Sequence, residues 1–386
     1  MTITEWAFPT NILIGAKSFA GLDQCFKQTA ITSVMVITDS GLSQSPSLKK
    51  LLKRIDKLKL SFGVFSILDG APDQQTLELT VRLYLSGGFN GILAFGSGSA
   101  IDLAKLTRLF SAKTSDVKQL RAPDAYDPLP ALIAVPTLAG SGAEVQEDAY
   151  MVDRNINNGF SVYDKRLCPT FVIADPLLTA TAPASFIAGS GMNALVNAID
   201  SWCSPAFNPV ADALALETVK LVFANLEKAV NQPSLQEAHL AMLSASICGA
   251  LAATKSIGAT TALARSVCHR YQTHFGMTAG VLLPYVLAYN QSIISDKIDT
   301  LARHLDIKGG FNGFARHLLA LRKAINIPTK LTGLTKDQKI KVKDKTLIEN
   351  VAVEDLDSGD NAIRLTKKAA FSILNAAIAG KMNRKK

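Results

Sequence analysis

The most constraining feature of this chain is an alternation of short β-rich runs with helix-patterned stretches, held over its first 180 residues. "SVMVITD" (33–39) reads as a strand ending on Asp39, and "LSFGVFSIL" (60–68) as a second. "TLELTVRLYLSGG" (76–88) then spaces its apolar residues helically and stops at a glycine pair. "GILAFG" (91–96), "LPALIAVPT" (129–137) and "TFVIADP" (170–176) are three further strands, the last closed by proline. Strands separated by helices cannot pair through tight hairpins; they need crossovers, and so a parallel sheet with helical cover.

From residue 184 the texture changes. Stretches such as "ADALALETVKLVFANLEKAV" (211–230) and "EAHLAMLSASICGALAAT" (237–254) are long, rich in alanine and leucine, and helical throughout. The expected organisation is an α/β domain over 1–180 and an all-helical domain over 181–386. With 48% hydrophobic and 19% charged residues, the chain has material for two cores and does not read as disordered.

The start, "MTITEWAFPTNILIG", lacks a basic region followed by an apolar one, and no run of roughly 18 uncharged apolar residues occurs. A signal peptide and a membrane span are therefore not expected. Cys25, Cys168, Cys203, Cys248 and Cys268 show no CxxC spacing, which fits reduced thiols in a cytoplasmic protein. The net charge of +9 is concentrated partly in "KLTGLTKDQKIKVKDK" (330–345) and the final "KMNRKK". Without interleaved aromatics these read as a solvated loop and tail, so no nucleic-acid partner is expected. A small anionic substrate would suit the basic chain.

Two loops carry the chemistry. In "AFGSGSAIDLAK" (94–105) a strand runs into Gly96-Ser97-Gly98-Ser99, and a helix then opens with Asp102 and Lys105 in its first turns. Glycines permit close backbone approach, and unbonded N–H groups at a helix start attract phosphate. In "VPTLAGSGAEV" (135–145) a second strand runs into a small-residue loop containing Thr137, Leu138 and Ser141. Two such loops after parallel strands form two anion cradles at one sheet edge, which suits a pyrophosphate. Asp39 is a candidate acceptor for a ribose diol and would repel a 2′-phosphate, favouring NAD over NADP.

These residues resemble the iron-containing (group III) alcohol dehydrogenase family, relatives of glycerol dehydrogenase and dehydroquinate synthase. The family's GGGSxxDxAK loop is matched by Gly96 to Lys105 with serine at Ser97, and its PTTAGTGSEV loop by Pro136 to Val145. "FPTNILIG" (8–15), "DPLLT" (175–179) and "LLPYVLAYN" (282–290) extend the likeness over about residues 5–330. The resemblance implies a Rossmann-like dinucleotide-binding domain followed by an all-helical one, the dehydroquinate synthase-like fold. It also implies hydride transfer between NAD and a small alcohol or carbonyl compound, in a homo-oligomer, commonly a dimer.

One part of the pattern is missing. The family's GMDALxHAIE helix supplies an aspartate and a histidine to a divalent metal, but "GMNALVNAID" (191–200) has Asn193 and Asn197 there. The two further histidine positions of the family fall on Thr261 and Phe275. Carboxamides are weak ligands for a transition metal and phenylalanine is none, so a metal-free member is expected. His269 and His274, with Asp200 one turn beyond Asn197, are what a shifted site would draw on, yet a five-residue spacing does not stack on one helix face. A metal-free hydride transfer needs another electrophile or proton donor. Arg265, at a family histidine position, with His269 and His274, are the candidates, and Arg270 and Tyr271 lie in the same segment. Gly159 stands where the family often has a lysine near the cofactor. That change, Ser97 and the altered C-terminal segment favour the alternative of a non-catalytic relative that binds a nucleotide, ligand or partner.

Overall fold

The computed structural model describes residues 10–67, 70–118, 122–124, 127–154, 158–334 and 361–381. Most of the basic stretch (335–345) and the tail from 382 lie outside them. The described residues divide into two compact units, one running to Leu138 and resuming over Gly142–Ala182, the other of Ala139–Ser141 with the residues from Pro183 onward.

The first unit is built on a parallel sheet. Its strands are β1 (Asn11–Ile14), β2 (Ser33–Asp39), β3 (Ser61–Ile67), β4 (Gly91–Gly96), β5 (Ala131–Pro136) and β8 (Phe171–Ala174), in the order β1-β8-β5-β4-β2-β3. Every residue of β4 is buried, because a central parallel strand is covered on both faces and so reads as an unbroken apolar run. Val34, Val36, Leu93, Phe95, Ile133 and Val135 pack with Leu22, Phe26, Leu48, Leu51 and Ile55 of the helices α1 (Leu22–Thr29) and α2 (Pro46–Lys57). Helix starts are set locally: Ser45 accepts from Leu48 N–H ahead of α2, and Asp73 from Thr76 N–H ahead of α3 (Gln74–Ser86). The glycine pair that predicts the end of α3 sits there, with Gly88 at φ +62.

From β2 the chain moves to β3 on one side, then returns to place β4 on the other side. The carboxyl ends of β2 and β4 therefore flank the point where strand order reverses. One element has no counterpart in the sequence reading: β6 (Asp148–Asp153) and β7 (Asn158–Tyr163) form a separate antiparallel pair. The strand read over 170–176 ends earlier, because Pro176 opens a one-turn helix, α5 (Pro176–Thr179), capped by Asp175.

The second unit contains α6 (Ala184–Cys203), α7 (Pro209–Asn231), α8 (Gln236–Ala253), α9 (Ala259–Tyr271), α10 (Phe275–His304), α11 (Gly310–Ala324) and α12 (Lys367–Ala379). None of the described helices is long and apolar enough to cross a membrane. Asn361 fastens its centre: Oδ1 accepts from Ala259 N–H at 3.3 Å and Asn290 Nδ2 at 3.2 Å, and Nδ2 returns a bond to Asn290 Oδ1 at 3.1 Å. One side chain so caps α9 and ties it to α10.

Candidate functional site

At the carboxyl edge of the sheet, side chains hold a loop and leave its backbone to face a ligand. Asp39, at the end of β2, accepts from Ser97 N–H at 2.6 Å and from Ser97 Oγ at 2.7 Å. These are charge-assisted bonds to a helix start, because Ser97 precedes α4 (Gly98–Phe110). A methyl group on Gly96 would overlap the Asp39 carboxylate and the Ala100 Cβ, so this approach needs glycine. The first duty of Asp39 is thus to latch the loop, a role its position alone does not disclose. Each of its oxygens carries a second lone pair. The serine at Ser97, a departure from the family pattern, supplies one of the two latching donors.

Gly98 and Ser99 lie half-buried in the first turn of α4, where N–H groups have no helical partner. Thr137 N–H donates to Gly96 O at 2.9 Å, so the second loop is tied to the first. Leu138 and Ser141 are half-buried, Thr137 is buried, and Gly142 turns the chain at φ +66. Asp102 is half-buried one turn into α4. Lys105 is buried completely, with Nζ donating to Gln146 O and Asp148 O at 2.8 Å each. Burial pushes the Glu144 carboxyl up to about 7, and the nearby Lys105 ammonium only partly offsets this. Lys105 is therefore a buried strut of the β6–β7 pair, not a phosphate ligand. Glu144 lies inside a quoted motif yet gave no sign in sequence of its burial.

In the helical unit, one face of α6 carries Gly189, Asn193, Asn197 and Asp200 at steps of four, four and three residues. Its two ends are pinned. At one end, a methyl on Gly276 would overlap the Gly189 carbonyl, so α10 starts in backbone contact with α6. At the other, the fully buried Asp200 carboxylate accepts from Thr260 Oγ1 at 2.9 Å, Thr261 N–H at 3.2 Å and Thr261 Oγ1 at 3.1 Å, capping α9. Burial raises its pKa to about 6 despite these bonds. Between the two pins, Asn193 and Asn197 are half-buried, and neither carboxamide makes a hydrogen bond to the described residues. The tip of the second glycine loop reaches the same helix: Gly140 lies so close to Ser190 that a methyl would overlap its backbone.

His274 caps α10, its Nδ1 accepting from Met277 N–H at 3.4 Å, which puts the ring proton on Nε2. Its ring meets Phe186 edge-on at 5.3 Å, and burial lowers its pKa, so it is neutral at pH 7. Thr261, Arg265 and His269 rise at four-residue steps along one face of α9, with Arg265 and His269 half-buried. Arg270 points elsewhere, exposed, with its guanidinium 5.6 Å from the Tyr271 ring centre. Phe275 is half-buried at the start of α10.

This donor set does not fit a divalent cation. It offers two carboxamides, a hydroxyl already committed to Asp200, and a phenyl ring. The carboxylate of Asp200 is itself engaged by three donors, and among the described residues no three of His, Cys, Asp and Glu are grouped where they could hold a metal. The shifted site built on His269, His274 and Asp200 therefore finds no support in the geometry.

Comparison with known proteins agrees with this architecture. Residues 9–176 match the model for iron-containing alcohol dehydrogenase, and residues 187–378 that for the C-terminal part of the Fe-containing alcohol dehydrogenase family. The chain is 27% identical over 340 residues to a 4-hydroxybutyrate dehydrogenase of Cupriavidus necator, covering 84% of this chain and 88% of that one. It is 25% identical over 362 residues to an NAD-dependent methanol dehydrogenase of Bacillus methanolicus, covering 91% and 95%. Among solved structures, a 1,3-propanediol oxidoreductase superposes with a TM-score of 0.90 at 23% identity, covering 98% of this chain and 100% of the other.

Proposed function

The chain belongs to the iron-containing alcohol dehydrogenase family, and from that premise we propose that it interconverts a small alcohol and its aldehyde or ketone with NAD, without a catalytic metal. The supporting observation is an asymmetry between two sets of motif residues. The two phosphate loops keep Gly96, Gly98, Gly140 and Gly142, with serine at Ser97 in the first, and are latched by Asp39 and by the Thr137 N–H. The positions where relatives hold a metal carry Asn193, Asn197, Thr261 and Phe275, and Thr261 is bonded to Asp200.

The latched loops present backbone N–H groups for a pyrophosphate. NAD is the cofactor expected, since a 2′-phosphate near the Asp39 carboxylate would meet like charge. Bound NAD supplies the hydride chemistry. Neutral His274 offers an Nε2–H donor, and Arg265 a permanent positive charge, near the faces of α6 and α9. The substrate class is a short alcohol or carbonyl compound, and an anionic one suits Arg265 and the net charge of +9. A homodimer is the expected assembly.

The test is a nicotinamide-fluorescence titration with NADH on chelator-treated protein, followed by NADH consumption with short aldehydes, 4-oxobutanoate included. Saturable binding tighter than for NADPH, with turnover in chelator, is the expected result. Activity that appears only after iron or zinc is added sinks the metal-free reading. Failure to bind NADH under any condition leaves the non-catalytic, ligand-binding reading.

A further inference from the structure

We infer that the carboxamides of Asn193 and Asn197 hydrogen-bond the substrate oxygen and stabilise the charge that develops on it during hydride transfer. This rests on the metal-free reading above and specifies which groups polarise the substrate.

Three observations converge on the pair. Both side chains occupy one half-buried face of α6, four residues apart, and neither bonds to a described residue. A polar group in such a place that bonds none of the described residues is available to a ligand. The face is also held rigid on both sides of the pair, by the Gly189–Gly276 backbone contact and by the Asp200 cap on α9. Finally, Gly140 brings the tip of the second phosphate loop against Ser190, one turn before Asn193. Gly140 and the carboxamide pair lie in the same compact unit, so this contact is part of the helical body that carries α6.

The chemistry accounts for the residue type. In the reductive direction a hydride, with its electron pair, passes from C4 of the reduced nicotinamide to the carbonyl carbon. The C–O π pair moves onto oxygen, which takes a proton from water; the nicotinamide is oxidised and the carbonyl reduced. The oxygen passes through a state of partial negative charge. A carboxylate beside it would repel that charge unless a cation stood between them. An asparagine has nearly the same shape, is neutral, and places an N–H donor where an aspartate places an oxygen. Two such donors on a rigid helix act on the developing alkoxide as an oxyanion hole does. The face that does not fit a cation is thus suited to work without one.

The test uses chelator-treated full-length chain, with butanal and NADH as probes. Asn193→Asp and Asn197→Asp each remove the donor and add a charge at constant shape. Each is expected to lower kcat/KM on the order of 100-fold, with NADH affinity within about twofold of the parent. Asn193→Ala and Asn197→Ala should fall less far, since they remove the donor without adding repulsion. A merely structural role would move the thermal midpoint and NADH affinity instead, and would not rank aspartate below alanine in kcat. If an aspartate variant does not fold, the serine variant at that position carries the same comparison. Turnover in chelator that survives both aspartate substitutions overturns this proposal and leaves the metal-free enzyme standing. Turnover only with added iron or zinc, or none under any condition, overturns both.

Discussion

The carboxyl edge of the sheet and the half-buried face of α6 meet the problem of holding a ligand in opposite ways. At the sheet edge the side chains are spent on the protein: Asp39 on Ser97 and Lys105 on the β6–β7 pair. What remains for a ligand there is backbone. On α6 the backbone is consumed by the helix, and what remains is the pair of side chains Asn193 and Asn197. A site made of backbone tolerates little change, because its geometry depends on glycines with no room for a Cβ. A site made of side chains can change its chemistry while the helix beneath keeps its shape. That is a physical reason for the loops to match the family pattern while residues 193, 197, 261 and 275 depart from it.

The comparison can be broken most forcefully at its backbone contacts. Gly276→Ala forces a methyl into the Gly189 carbonyl, which neither helix can avoid without separating. We expect a loss of about 3 kcal/mol in urea unfolding, well beyond the ~1 kcal/mol that alanine gains in helix propensity. A stable, active Gly276→Ala protein would show that the α6–α10 contact is not rigid.

The pH dependence of stability sharpens the contrast between buried and presented groups. Glu144 is raised from 4.5 to about 7 and Asp200 from 3.8 to about 6, both by burial. Folding therefore favours their protonated forms. Their contribution is complete below the unfolded values and is lost as pH rises through the folded ones. Unfolding free energy should fall between about pH 4 and 7, by up to about 3 kcal/mol for each group, and then level off. Glu144→Gln should flatten the upper part of that decline, and a profile unchanged by it would disprove the assignment.

Asp39→Ala removes both latching bonds at Ser97. The expected cost is about 2 kcal/mol in stability, with at least a tenfold loss of NADH affinity by titration. Equal affinity in this variant would mean that the loop holds its shape without the latch. Arg270→Ala should do least. Its guanidinium stacks on Tyr271 at the surface, so stability should shift by less than about 0.5 kcal/mol and turnover by less than twofold.

Much of the architecture is legible before any coordinates. Each β-run from 33–39 to 170–176 becomes a strand of the one parallel sheet, and the glycine pair after 86 ends its helix. The β6–β7 pair was not legible. "DAYMVD" and "NGFSVY" are short and half-polar, and what buries Ala149 and Met151 comes from elsewhere in the chain. For the site, the sequence supplies the donor types at Asn193, Asn197, Thr261 and Phe275, and the metal-free reading built on them rests with the chelator titration. It was silent on Lys105, which sits in the opening turns of α4 while its long side chain turns inward to two carbonyls.

The sequence by itself determined the order of elements, the glycines of the two loops and the donor types at positions 193, 197, 261 and 275. These follow from periodicity, from steric freedom at single residues and from donor chemistry, all of which are local. Only the tertiary structure decided that Asp39 serves Ser97, that Asp200 captures Thr261, and that Asn193 and Asn197 have no hydrogen-bond partner among the described residues. Hydrogen bonds and burial depend on which distant segments come together. Asp39 meets Ser97 across 58 residues and Asp200 meets Thr261 across 61, separations over which no local pattern carries information.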